Sequence, residues 1–169
     1  MNMSIRSQDV SVGVRPLNLT GEYLTFKLGD ESYGIEILNV QEIRGYDAVT
    51  QIANSPDYVK GLINLRGKVL PIVDLRIKFN LQNFDYNEFT VVIILNLSGR
   101  EVGVVVDGVS DVINLKADQV RDVPSLVTSI DTTYIVGLAM LAEQMIILVD
   151  IAQLMTSQDI QIIDTANLS

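Results

Sequence analysis

Two carboxylates stand at matched places in this sequence, where acid–base chemistry would be sought first. Asp74 ends the run KVLPIVD and Asp150 ends QMIILVD, each just before an apolar stretch that reads as a helix start. A pair of converging carboxylates could act as general acid and base. The same position has a simpler use: an aspartate where a strand hands over to a helix caps the unpaired amides of the first turn. Capping is the preferred reading, and it would make Asp74 worth about 1 kcal/mol of stability. Asp107 and Asp111 lie close to Gly108 in VVVDGVSDV. A calcium loop needs more ligands at fixed spacings and a closing glutamate, so no metal is expected. The chain has no histidine and no cysteine. The usual base near neutral pH, a thiolate nucleophile, disulfides and most zinc sites are therefore missing. Gly34 and Gly103 fit no phosphate-binding pattern and read as bulges or places of close backbone approach. No cofactor is expected.

The other residue with chemical reach is Arg66, followed by Gly67 within YVKGLINLRGKVLPIVDL, residues 58–75. Nearly every other position there is apolar or turn-forming. Two readings stand side by side. Arg66 is a solvated turn residue next to a glycine that supplies positive φ. Or it anchors a protein–protein interface, where arginine beside apolar surface is favoured.

Such residues need elements to hold them. The 169 residues suit one ordinary domain or two very small ones, and 48% hydrophobic residues can fill a core. Twelve lysines and arginines are scattered among 21 acidic residues, for a net charge of −9. That balance argues against nucleic acid and anionic membrane as partners. The apolar runs Val91–Leu95 and Met145–Val149 fall far short of the ~20 residues that span a bilayer. The first residues lack the apolar core of a secretory signal. A soluble cytoplasmic protein without membrane insertion is expected.

The sequence is written twice. Residues 22–43 lie over 91–112 without a gap, so that Gly34 meets Gly103, Ile37 meets Val106 and Ile43 meets Val112. Residues 58–75 lie over 134–151, with Tyr58, Gly61, Leu62, Leu65, Val73 and Asp74 identical to their counterparts. Each copy of about 55 residues reads as strands: Leu24–Leu28, Tyr33–Leu38 and Val69–Val73 in the first, Val91–Leu97, Val102–Val106 and Met145–Val149 in the second. Val102–Val106 is apolar on both faces and should be buried on both. Short helices are expected over Leu75–Phe79 and Ile151–Met155, and a helical turn over Val40–Arg44. Pro71 belongs at an edge or a bulge, because it cannot donate to a ladder. Half a structure of this size buries too little surface to stand alone, so the units (22–79 and 89–155) should share one core within a domain of residues 21–156. Residues 1–20 read as a tail, 80–88 as a connector and 157–169 as a tail or short helix. At the crest of the first copy stand Lys60, Asn64, Arg66 and Gly67; the second has Val136, Met140, Ala142 and Glu143. The fold therefore does not itself demand Arg-Gly.

VKGLINLRGKVLPIVDLRIKF resembles the signature of the CheW family of bacterial chemotaxis. LGDESYGIEILNVQEIRGYDAVTQIANSP and VGVVVDGVSDVINLKADQVRDVP resemble it too, and the likeness runs from Glu22 to Asp164. The resemblance implies a mainly β fold of two interlocking SH3-like five-stranded β-barrels with short helices. It implies a non-enzymatic adaptor that links the cytoplasmic hairpin tips of chemoreceptors to the regulatory domain of the histidine kinase CheA, recruited to membrane-associated arrays. Self-association into rings is left open. Carried over by position, the receptor-facing residues are Val40, Glu42, Ile43, Gly61, Asn64, Leu65 and Arg66, with Val91, Val92 and Val112 as an apolar floor. Kinase contacts fall near Ile37 and Leu38 in the first lobe and near Arg121 and Leu126 in the second. Position 126 holds leucine where the family pattern has an aromatic. The alternatives are a CheW-like module of another receptor–kinase pathway and, far behind, a carboxylate-dependent enzyme. A chain of 169 residues has no room for an added receiver domain, so a free-standing module is expected.

Overall fold

The computed structural model describes residues 19–47, 49–82, 84–123 and 134–167. In the first unit β1 (Gly21–Leu28) and β2 (Glu31–Glu36) form a hairpin, and a 3-10 turn (Ile37–Asn39) leads into β3 (Val40–Gly45). A second hairpin, β4 (Val59–Leu65) and β5 (Lys68–Asp74), runs into helix α1 (Leu75–Lys78). The second unit repeats the plan with β6 (Val91–Leu97), β7 (Arg100–Val106), β8 (Gly108–Leu115), β9 (Val120–Arg121), β10 (Ile135–Leu141), β11 (Gln144–Val149) and α2 (Ile151–Leu154). Helix α3 (Ser157–Asn167) follows.

The strands make two sheets, ordered β9-β10-β11-β2-β1-β8 and β3-β6-β7-β5-β4. Each sheet takes the first hairpin of one unit and the later strands of the other, which is what interlocks the halves. The joins are two parallel pairings, Leu148 opposite Gly34 and Ile72 opposite Gly103, at equivalent places in the repeat. A Cβ on Gly34 would lie 3.1 Å from the Leu148 side chain, and one on Gly103 would lie 2.6 Å from that of Ile72. Close approach, not a bulge, explains both glycines. The first sheet has one strand more than the expected five, the two-residue β9. Its counterpart in the second sheet is a single bridge, Thr50 to Leu62.

One large core lies between the sheets, built from Phe26, Ile35, Ile93, Leu95, Val104 and Val106 among others. Each sheet also wraps a smaller core on its other face: Tyr23, Leu115, Ile146 and Leu148 in one, Leu70, Ile72, Val92, Ile94 and Val105 in the other. Buried on both faces, Val102–Val106 is accessible at no valine. Each such side chain contributes about 1.5–3 kcal/mol.

Two expectations are corrected. Val40–Gly45 is a strand, and the helical turn falls earlier, at Ile37–Asn39. The exposure of β3 alternates from residue to residue, as on the half-exposed rim of a sheet, and β3 gains a ladder with β6. Pro71 lies in β5, which is not an edge strand, though it is near the bulge between Val59 and Gly61. Its partner Leu62 uses both backbone groups on Thr50. Leu62 and Pro71 therefore form a non-hydrogen-bonded pair, and the missing N–H faces β7, where the parallel ladder begins only at Ile72.

Candidate functional site

Arg66 and Gly67 are the two residues of the β4–β5 turn, with φ of 52° and 87°. Positive φ at both central positions matches the twist of the flanking strands. Asn64 holds the turn by accepting the Gly67 N–H at 2.9 Å. The equivalent Ala142 is also left-handed, with φ of 53°. The fold demands that conformation but not the arginine.

The side chain of Arg66 is 72% exposed, yet its guanidinium donates to Glu42 Oε1 at 2.6 Å. Glu42 is on β3 and Arg66 follows β4, the two outer strands of the sheet, so this bond joins the sheet's opposite edges. Arg44, two residues further along β3, reaches Glu42 Oε2 at 3.6 Å. Hydrogen bonding from Arg66, with its charge and that of Arg44, holds the Glu42 carboxyl below its usual range. An exposed pair of this kind adds little stability. Its effect is to hold a cationic head in one place. Two grooves adjoin it. One of about 350 Å³ is lined by Glu42, Leu65, Arg66, Lys68 and Glu101. The other, of about 270 Å³, is lined by Arg44, Tyr46, Asn64, Ile72 and Val92.

The structure thus brings Glu42, Asn64 and Arg66 together. Leu65 and Gly61 are buried beneath them, and a Cβ on Gly61 would lie 2.2 Å from the Thr50 carbonyl oxygen. Ile43 is 42% exposed on β3. Val92 lies at the bottom of the second groove, whereas Val40 and Val91 turn toward the large core. Val112, 52% exposed, is on β8 in the other sheet. Of the second group, Leu38 is 89% exposed on the 3-10 turn and Ile37 packs against the large core. The exposed Arg121 donates to the carbonyls of Asp118 and Val120 at 2.7 and 3.1 Å. Leu126 lies outside the described residues.

The carboxylate pair does cap helices. Asp74 accepts from the Arg76 N–H and Asp150 from the Ala152 N–H. Asp74 does more than that. It is fully buried with the guanidinium of Arg76, which also donates to Asp107 at 3.0 Å and to the Asp85 carbonyl at 2.7 Å. Phe84 and Tyr86 lie 4.4 and 4.7 Å over that guanidinium, and the Tyr86 hydroxyl donates to Asp74 at 2.6 Å. Burial alone would lower the Arg76 pKa; Asp74 and Asp107 overcome that and raise it. Burial and Asp74 push the Tyr86 hydroxyl up. These groups are locked in mutual bonds, an arrangement for holding the 80–88 connector and not for proton transfer. Among the described residues no cluster of His, Cys, Asp or Glu could hold a metal.

A family model described as a CheW-like domain matches residues 22–159. The chain belongs to the CheW-like family. It is 55% identical to a chemotaxis protein CheW of Klebsiella aerogenes, over 85% of this chain and 86% of that one. A CheW of Treponema pallidum is 32% identical over 83% and 85% of the two chains. A crystal structure of the scaffolding protein TtCheW from Thermoanaerobacter tengcongensis matches with a TM-score of 0.71 and 32% identity, over 78% of this chain and 90% of that one. CheW-like proteins are scaffolds of chemotaxis signalling and not enzymes, and this chain has that role. No helix among the described residues is long and apolar enough to cross a membrane.

Sequence reasoning missed Arg44 as the second cation on Glu42. Reading Val40–Arg44 as a helical turn hid the pairing, since only on a strand do residues two apart share a face. It also missed the buried Arg76 network.

Proposed function

We propose that this protein couples chemoreceptors to the CheA histidine kinase, by binding the receptors' cytoplasmic hairpin tips on its first lobe and the kinase's regulatory domain elsewhere. The observation that carries the reading is the exposed Arg66, fixed by Glu42 near two grooves floored by Leu65, Leu70, Ile72 and Val92, with Ile43 exposed on the other face of the same strand as Glu42. A receptor helix laid on this face would meet apolar surface with one oriented charge, a known way of recognising helices. In this reading Glu42, Ile43, Asn64 and Arg66 make contact, while Gly61, Leu65 and Val92 shape the surface from below. Val40, Val91 and Val112 extend the receptor face. Ile37 with Leu38, and Arg121 with Leu126, are the kinase contacts. Recruitment to membrane-associated arrays follows from binding the receptors.

The test is an NMR titration of the ¹⁵N-labelled protein with a receptor hairpin fragment and, separately, with the CheA regulatory domain. The two ligands should shift different patches, with Arg66 and Ile43 in the receptor patch and Leu38 and Arg121 in the kinase patch. Arg66→Glu should keep the β spectrum and melting temperature and abolish the receptor-induced shifts. An equal loss of stability would make Arg66 a structural residue and refute its role here.

A further inference from the structure

The hairpin tip of the second lobe is built differently from that of the first. Met140 on β10 and Met145 on β11 face each other across the strands, 40% and 47% exposed. Their counterparts in the first lobe are Asn64 and Val69. The fold therefore does not require large apolar side chains here. Methionine is flexible and polarisable, and it suits surfaces that adapt to a partner.

A groove of about 300 Å³ runs beside Met145. It is rimmed by Asp30, Glu31 and Glu143, against one cation, Lys27. Among the described residues none of these three carboxylates takes part in an ion pair. By contrast, the cations Arg66 and Lys68 at the first lobe's tip are paired with Glu42 and Glu101. An apolar pair beside unneutralised acids is complementary to an apolar ridge flanked by lysine or arginine. We propose that this tip is a third docking surface, separate from the residues assigned to receptor and kinase. Its occupant is a cationic amphipathic helix of a partner protein. The helix would set its apolar side chains on Met140 and Met145 and its cations against Asp30, Glu31 and Glu143.

The test labels the methionine methyls with ¹³C in the full chain and titrates a synthetic amphipathic helix of leucine and lysine. A scrambled peptide of the same composition is the control. The Met140 and Met145 methyls should shift saturably with the amphipathic peptide. Its affinity should exceed that of the scrambled peptide at least tenfold. Met140→Asn with Met145→Val, the residues the sister lobe carries, should weaken binding about tenfold. Glu31→Gln with Glu143→Gln, which leaves the apolar pair in place, should weaken it and flatten its salt dependence. Equal affinity for both peptides would mean attraction to a net-acidic protein only, and would overturn the proposal. So would unaltered binding by both double variants. A dimer that shifts the same methyls without peptide would also overturn it, in favour of a second copy of this chain as the occupant.

Discussion

Asp74 and Asp150 are twins in the repeat, yet their environments separate them. Among the described residues the Asp150 side chain bonds only the Ala152 N–H, so Asp150→Ala should cost about 1 kcal/mol in urea unfolding. Asp74→Ala would strip the buried Arg76 of its main partner and should cost about 3–5 kcal/mol. Equal losses would mean that the Arg76 network adds nothing beyond the cap. The caps were legible, because an aspartate between a strand and an apolar run has few other uses. The network was not. Arg76 sits in LRIKF like any solvated charge, and nothing local announces that Asp107 and the 80–88 connector fold over it. Gly61 is a similar case. Identity with Gly137 marked it as special, but only the structure shows the Thr50 carbonyl where its side chain would be, at a φ of 147°. Gly61→Ala should destabilise by more than about 2 kcal/mol, read from the urea midpoint, without changing charge at the site.

Helix α3 packs Ile163 into the large core and is tied to the first lobe by Asp159, which is itself buried. It pairs with Lys78, accepts from the Tyr58 hydroxyl at 2.7 Å and accepts from the Thr156 N–H at 2.9 Å. Burial alone would raise the Asp159 carboxyl. Lys78, the Thr156 amide and Tyr58 outweigh it and hold the group below its ordinary value. A depressed folded pKa contributes stability above the unfolded value, near 3.9, and loses it as pH falls through the folded one. Amide exchange in α3 should therefore rise below about pH 4, and Asp159→Asn should show raised exchange at neutral pH. Exchange in α3 that does not depend on Asp159 would mean that Ile163 in the large core, Arg100–Asp164 and the Asn167 bonds to Glu101 hold the helix instead. At this scale the strands were legible from period and composition. Val40–Gly45 was not, because six mixed residues fit a turn of helix as well as a rim strand, and only the ladder to β6 decides. Pro71 misled for a related reason: its missing donor matters only on the side where a partner strand is already in register.

At the scale of the whole molecule, the written repeat is not a repeat of domains. Either half alone lacks strands for both sheets. Unfolding should be a single transition by circular dichroism and by tyrosine fluorescence alike. Residues 19–82 and 84–167 made as separate chains should each lack a β spectrum and regain it on mixing; a folded half on its own would contradict the exchange of strands.

The same exchange bears on how the chain is made. Ser32 pairs with Ile146, so the inner edge of the first hairpin has no partner until β11 has left the ribosome. Until then β2 presents open backbone donors and acceptors beside apolar side chains. The nascent chain is therefore exposed to misassociation until β11 emerges, and a chaperone that holds it over that interval would act on that edge.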